Sequence, residues 1–374
     1  MISADNAGAV ATPDEQPARD WRSALGWSAT SAPVALLLIT GIAVGPRGIN
    51  LLSASALPFL NPVVPVALAA LGVLVGLGLD DRRSGDRRII GAATVEAAIT
   101  MTVVSVGIGL LAWTRLTVVE PVWTFAIASG ICAATSLTLP TGASLDPRSH
   151  ATRIIEAGVL LPILAGGLVF AWLRAGAPAA TLTLLAQTFG VTLALATAVW
   201  LVLTRASSPT EERVFALSAL LLIGGASAAL ALSALLGGLT AGVFWRYAGG
   251  RPRDTIGRDV LFVQHPLLVL VLLLAGARVE LSLLSVALGL LYATLRTVGT
   301  IAASTVATRV AGLSAPSGLA GHLVRPGVFG VAFALNAAGI VGSGEASLLL
   351  ATIVVGTIAS EFAALLLPPR ATDQ

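Results

Sequence analysis

Long apolar runs follow one another along nearly the whole chain, separated by short segments where Arg, Asp, Pro and Gly collect. Each run is close to the roughly 20 residues needed to cross a bilayer as a helix. The pattern predicts twelve helices, at residues 28–44, 62–79, 89–113, 122–139, 152–174, 179–203, 212–230, 232–247, 260–277, 281–311, 318–341 and 347–367. The runs are continuously apolar rather than alternating, which argues against a membrane β-barrel. The fourth is interrupted by Gly130 and closed by Pro140, and the eleventh carries Pro326, Gly327, Gly330 and Gly339. Breaks at related places in the two halves point to inverted repeats around a mid-membrane site. Backbone groups freed by such breaks cannot face lipid, so they must line a cavity or pack on protein. The competing reading is that these are ordinary small-residue packing positions.

Composition agrees with a polytopic all-α membrane protein. The chain is 56% hydrophobic and 11% charged, with a mean hydropathy of +0.91. All 22 basic residues are arginine, and they are unevenly spread. With the N-terminus inside, the cytosolic loops hold fourteen: Arg82, Arg83, Arg87, Arg88, Arg148, Arg153, Arg205, Arg213, Arg246, Arg251, Arg253, Arg258, Arg309 and Arg325. The outer loops hold four, Arg47, Arg115, Arg174 and Arg278. That bias predicts cytosolic N- and C-termini, in a prokaryotic-type plasma membrane. Residues 1–27 read as a disordered cytosolic lead, 28–368 as the transmembrane domain, and 369–374 as a short cytosolic tail. The scattered arginines give no nucleic-acid-binding face. A single cysteine, Cys132, excludes an internal disulfide, and three histidines make a histidine-rich metal site unexpected. No cofactor, metal or enzymatic activity is expected.

Arg296 lies in the middle of the tenth run, far from either predicted surface. A charge at that depth is costly and belongs against protein, a water cavity or a pathway. No carboxylate is expected at matching depth. Arginine itself does not titrate in a useful range, so proton-coupled transport needs an acid, and Glu156, Glu96 and Glu361 are the candidates. Glu156 leads, either as a relocated acid or as a partner of Arg153. Glu96 and Glu361 read as shallow packing or gate residues. Thr135 and Ser136 offer hydroxyl oxygens to a hard cation, or simply pack helices. Asn336 either satisfies backbone near Gly339 or faces a translocation path. His265 reads as a cap, and Asp80 and Asp81 as partners of the arginines beside them.

Several segments carry a resemblance in order and spacing: GIAVGPRGINLL, VALAALGVLVGLGLD, FALSALLLIGGASAALALSALLGGLTAGVFW, LLVLVLLLAGARVEL and RPGVFGVAFALNAAGIVG. Over roughly residues 28–368 the chain resembles the monovalent cation:proton antiporter family of the Kef type, with its sodium/hydrogen exchanger domain. The resemblance implies a twelve-helix antiporter fold, crossed broken helices four and eleven, a homodimer, and monovalent cation and proton as partners. It implies that Arg296 matches the family's basic residue in helix ten and that Thr135-Ser136 match the polar step in helix four. The family's helix-five acid falls here at Leu161, or at Pro162 if the register slips by one. Three roles for Arg296 stay open: bracing the carbonyl ends of the broken helices, pairing with a shifted acid such as Glu156, and anchoring an anionic substrate. Cation/proton antiport is accordingly the leading expectation, beside an anion carrier centred on Arg296 and a non-transporting membrane scaffold.

Overall fold

The computed structural model describes residues 34–78, 87–115, 122–135, 154, 157–312, 323–324, 327–340 and 343–366. The expected cytosolic lead and tail lie outside these residues, as do Asp80, Asp81, Ser136 and Glu156. Among the described residues there are twelve α-helices and no strand: α1 (Val34–Val44), α2 (Val63–Gly78), α3 (Arg87–Arg115), α4 (Val122–Ala133), α5 (Leu160–Ala175), α6 (Pro178–Arg205), α7 (Pro209–Ala229), α8 (Ala234–Ala248), α9 (Arg251–Ala277), α10 (Leu283–Ala311), α11 (Val328–Ile340) and α12 (Ser343–Leu366). Six of them, α2, α3, α6, α7, α10 and α12, are long and apolar enough to span a bilayer. Helix α9 makes a seventh if its two halves, bent by 44° around His265-Pro266, count as one span. The protein is an integral membrane protein.

Element starts depart from hydropathy for reasons that α9 and α5 illustrate. Helix α9 starts well before the expected 260, at Arg251. Gly249 and Gly250 take φ of +64° and +75°, and Pro252 enters the first turn. The first three turns are polar, so an apolar window passes over them. They fold because their charges find partners. Thr255 donates to Glu212 of α7 at 3.0 Å, Arg258 meets Glu212 at 3.8 Å, and Arg213 reaches Asp259 at 4.0 Å. Ahead of α5, which runs Leu160–Ala175, residue 154 is helical too, so the segment is helical before Leu160. Residues 157 and 158 are helical, but Val159 forms a turn. Pro162 explains the break: it lacks the N–H that would bond to Gly158, and its ring crowds that carbonyl.

The helices group by small residues. Helices α2 and α8 meet along a glycine seam, with Gly72 and Gly76 on one side and Gly238 and Gly242 on the other. A Cβ at Gly238 would lie 2.0 Å from the Ala69 carbonyl oxygen, and one at Gly72 2.3 Å from that of Leu235. Glycine at these four positions lets two backbones approach as no side chain would permit. Helix α7 joins the pair through Gly224, against Val66. A second group forms where α10 packs along α3 and α12, and α3 along α4. Only 22% of the best apolar window of α6 is buried, which sets that helix at the periphery.

Candidate functional site at the helix crossover

Helix α4 stops at Ala133, and α11 starts at Val328, after a short helical piece at Leu323-Val324. Each break leaves main-chain carbonyls without helical partners. The two ends are pressed together at Gly330, where a Cβ would sit 2.8 Å from the Cys132 carbonyl oxygen and 3.1 Å from Thr135 Oγ1. Thr135 Oγ1 donates back to the Cys132 carbonyl at 2.7 Å. Gly130 seats α4 against Met101 and Ser105 of α3.

Arg296 enters this crossover from α10. Its side chain is 1% exposed. Nε donates to the Ala133 carbonyl at 3.1 Å, Nη1 to Val324 at 2.6 Å and Nη2 to Leu323 at 3.3 Å. One planar guanidinium thus joins the C-terminal end of α4 to the piece preceding α11. The rigid fork suits this geometry, and a cation at a helix C-terminus gains from the helix dipole.

Glu96, which reads from the sequence as a shallow residue, stands close by. It belongs to α3, is 2% exposed and lies within electrostatic range of Arg296. Glu96 Oε1 accepts from Thr100 Oγ1 at 3.3 Å, and Oε2 has no hydrogen-bond partner among the described residues. Oε2 faces the start of α5, where a Cβ on Gly158 would be 3.7 Å away. Ser129 of α4, one turn before Ala133, is also fully buried with its hydroxyl unbonded among the described residues. Neither residue has a distinctive sequence signal beyond being polar inside an apolar run.

The other candidates are dispersed. Leu161 is half-buried and Pro162 buried in the first turn of α5, and neither offers a carboxylate. Beyond them α5 and α11 close on apolar surface. Phe333 fills the space over Gly166, and its ring lies 6.3 Å from that of Phe170. Asn336 of α11 is 5% exposed and donates to Ser233 Oγ of α8 at 3.1 Å, not to backbone near Gly339. Glu361 accepts from the Ala35 amide at 2.5 Å and so caps the first turn of α1. Among the described residues no group of three or more His, Cys, Asp or Glu could hold a metal ion.

No protein-family model matches the chain, and no curated protein matches it. Among solved structures it is similar to the sodium proton antiporter MjNhaP1 from Methanocaldococcus jannaschii, with a TM-score of 0.59 at 16% identity. The match covers 89% of this chain and 91% of that one. At that identity the similarity shows the fold: an all-helical antiporter fold with α4 and α11 broken at its centre.

Proposed function

We propose that the protein is a secondary active transporter that exchanges a monovalent cation, Na⁺ or K⁺, for protons by alternating access. The observation that carries this reading is Glu96: a buried carboxylate, one oxygen unbonded among the described residues, within electrostatic range of the guanidinium that braces the crossover. A carboxylate can hold either a proton or a cation, and two ligands that exclude each other on one group are what coupled exchange requires. Thr100 orients the carboxylate, and the Ser129 and Thr135 hydroxyls stand ready to add oxygen ligands for a hard cation. Arg296 then serves as the brace rather than as the carrier. Its donors engaged on three carbonyls speak against the anion-carrier reading. The arginine bias places both termini in the cytosol, and the antiporter fold leads us to propose a homodimer in a prokaryotic-type plasma membrane.

Reconstituted flux tests this. Wild type should move protons in response to an imposed Na⁺ or K⁺ gradient. Glu96→Gln, which mimics the protonated acid, should reduce exchange at least about 100-fold, the scale of losing a proton-transfer group. Glu156→Gln, run beside it, should leave exchange largely intact. Loss in Glu156→Gln alone would move the acid to the segment before α5, and silence of a folded wild type towards both cations would remove the exchanger reading. Protons and cation compete for one group, so lowering the pH should raise the apparent KM for the cation with little change in maximal rate.

A further inference from the structure

The helical groups that flank the crossover touch mainly through apolar side chains, but one short segment is held by polar contacts from both α5 and α11. It is the α7–α8 turn, Leu230 to Ser233. Arg174 Nη1, at the end of α5, donates to the Leu230 carbonyl at 2.8 Å and also to the Ala231 carbonyl. Asn336 of α11 donates to Ser233 Oγ, and the same oxygen accepts the Leu236 amide at 3.4 Å, capping α8. The turn itself is strained: Ala231 has a φ of +48°, a left-handed conformation that L residues other than Asn and Asp rarely adopt. Such strain persists only where surroundings hold it. Beside the turn lies a small pocket of about 10 Å³, partly open to the outside, lined by Gly167, Phe170, Arg174, Thr188, Ser233 and Leu236.

The two sides of these contacts belong to different sets of closely packed helices. The turn joins α7 to α8, and those helices are fixed to α2 by the glycine contacts at Gly224, Gly238 and Gly242. Arg174 and Asn336 belong to α5 and α11, which pack on each other at Phe333 and reach the Arg296 brace through the crossover. Sliding one group past the other leaves the apolar contacts exchangeable but must break both polar ones.

We propose that the Leu230–Ser233 turn is a latch between these helices, held by Arg174 and Asn336, and that the small pocket beside it widens to that face only when both clasps release. The latch rests on the transport reading only in treating opening as part of a cycle, so its test reads opening itself and no flux. In a Cys132→Ser background, Thr188→Cys puts one thiol, 4% exposed at this position in the wild type, inside this pocket. Its labelling by a membrane-impermeant maleimide is timed in the full-length protein reconstituted in liposomes. Arg174 is exposed, so Arg174→Gln should keep the fold; it should speed labelling about tenfold, as expected for a lost charge-assisted hydrogen bond. Asn336→Leu should do the same, and the double variant should exceed either. Hydrogen exchange across residues 226–240 should rise in parallel, a readout available even if Asn336→Leu is poorly folded, because Arg174→Gln alone must show it. Unchanged labelling and unchanged exchange in folded Arg174→Gln would overturn the latch. Faster labelling with no ion exchange by the wild type would keep the latch and remove the exchanger.

Discussion

Arg296 and the broken helices solve each other's problem. A guanidinium inside a membrane protein needs acceptors, and the C-terminal end of α4 and the piece preceding α11 present carbonyls that need donors. Three hydrogen bonds meet both needs at once. Removing the side chain leaves buried carbonyls unsatisfied, at about 1–3 kcal/mol for each that water cannot reach. By the same principle Arg296→Met should lower stability by about 3 kcal/mol or more, seen as a lower unfolding midpoint in detergent. Arg296→Lys should recover only part of it, because one ammonium cannot span three acceptors placed to fit a planar fork. Glu96→Gln should behave in the opposite way, losing exchange while the unfolding midpoint holds or rises, since it removes a buried charge and keeps the bond to Thr100. A fall in midpoint as large as that of Arg296→Met would make Glu96 a structural residue.

The elements show which glycines are structural. Those in the α2–α8 contact have no room for a methyl group: Gly238→Ala would put a Cβ 2.0 Å from a carbonyl oxygen. Forcing the helices apart should cost about 1–3 kcal/mol. Gly190 in α6 and Gly225 in α7 have open space where a methyl group would stand, with nothing within 4 Å. Gly190→Ala and Gly225→Ala should therefore be neutral or stabilising by up to about 1 kcal/mol. A thermal series over these three variants checks the contrast. Element boundaries teach a related lesson. Hydropathy locates α6 and α10 to within about two residues, because the apolar run and the helix coincide there. It misses the first turns of α9, whose Thr255, Arg258 and Asp259 are stabilised by side chains on α7, and it carries α5 through a break set by Pro162.

For the whole molecule, the fold packs two sets of helices around the crossover, one along the α2–α8 glycine contact and one along α3, α10 and α12. The arginine bias predicts that a reporter fused after Gln374 will be active only in the cytosol. Activity of an exported-side reporter at that position would reverse the topology and with it the side to which the proposed latch opens.

The amino-acid sequence by itself determined the class of solvent, an all-helical chain and the unusual position of Arg296; the interruption expected at Gly130 falls instead after Ala133, since α4 runs through that glycine. Those three follow from local physics: apolar length and the cost of a charge in hydrocarbon. Only the tertiary structure decided what the guanidinium bonds to, that Glu96 is buried within its electrostatic range, and that Asn336 reaches α8 instead of its own helix. Glu96 and Arg296 lie far apart in the chain, and nothing in either local segment encodes their meeting. It arises from the packing of α3 on α10, where glycines and small side chains fix the distance and the long side chains can only follow.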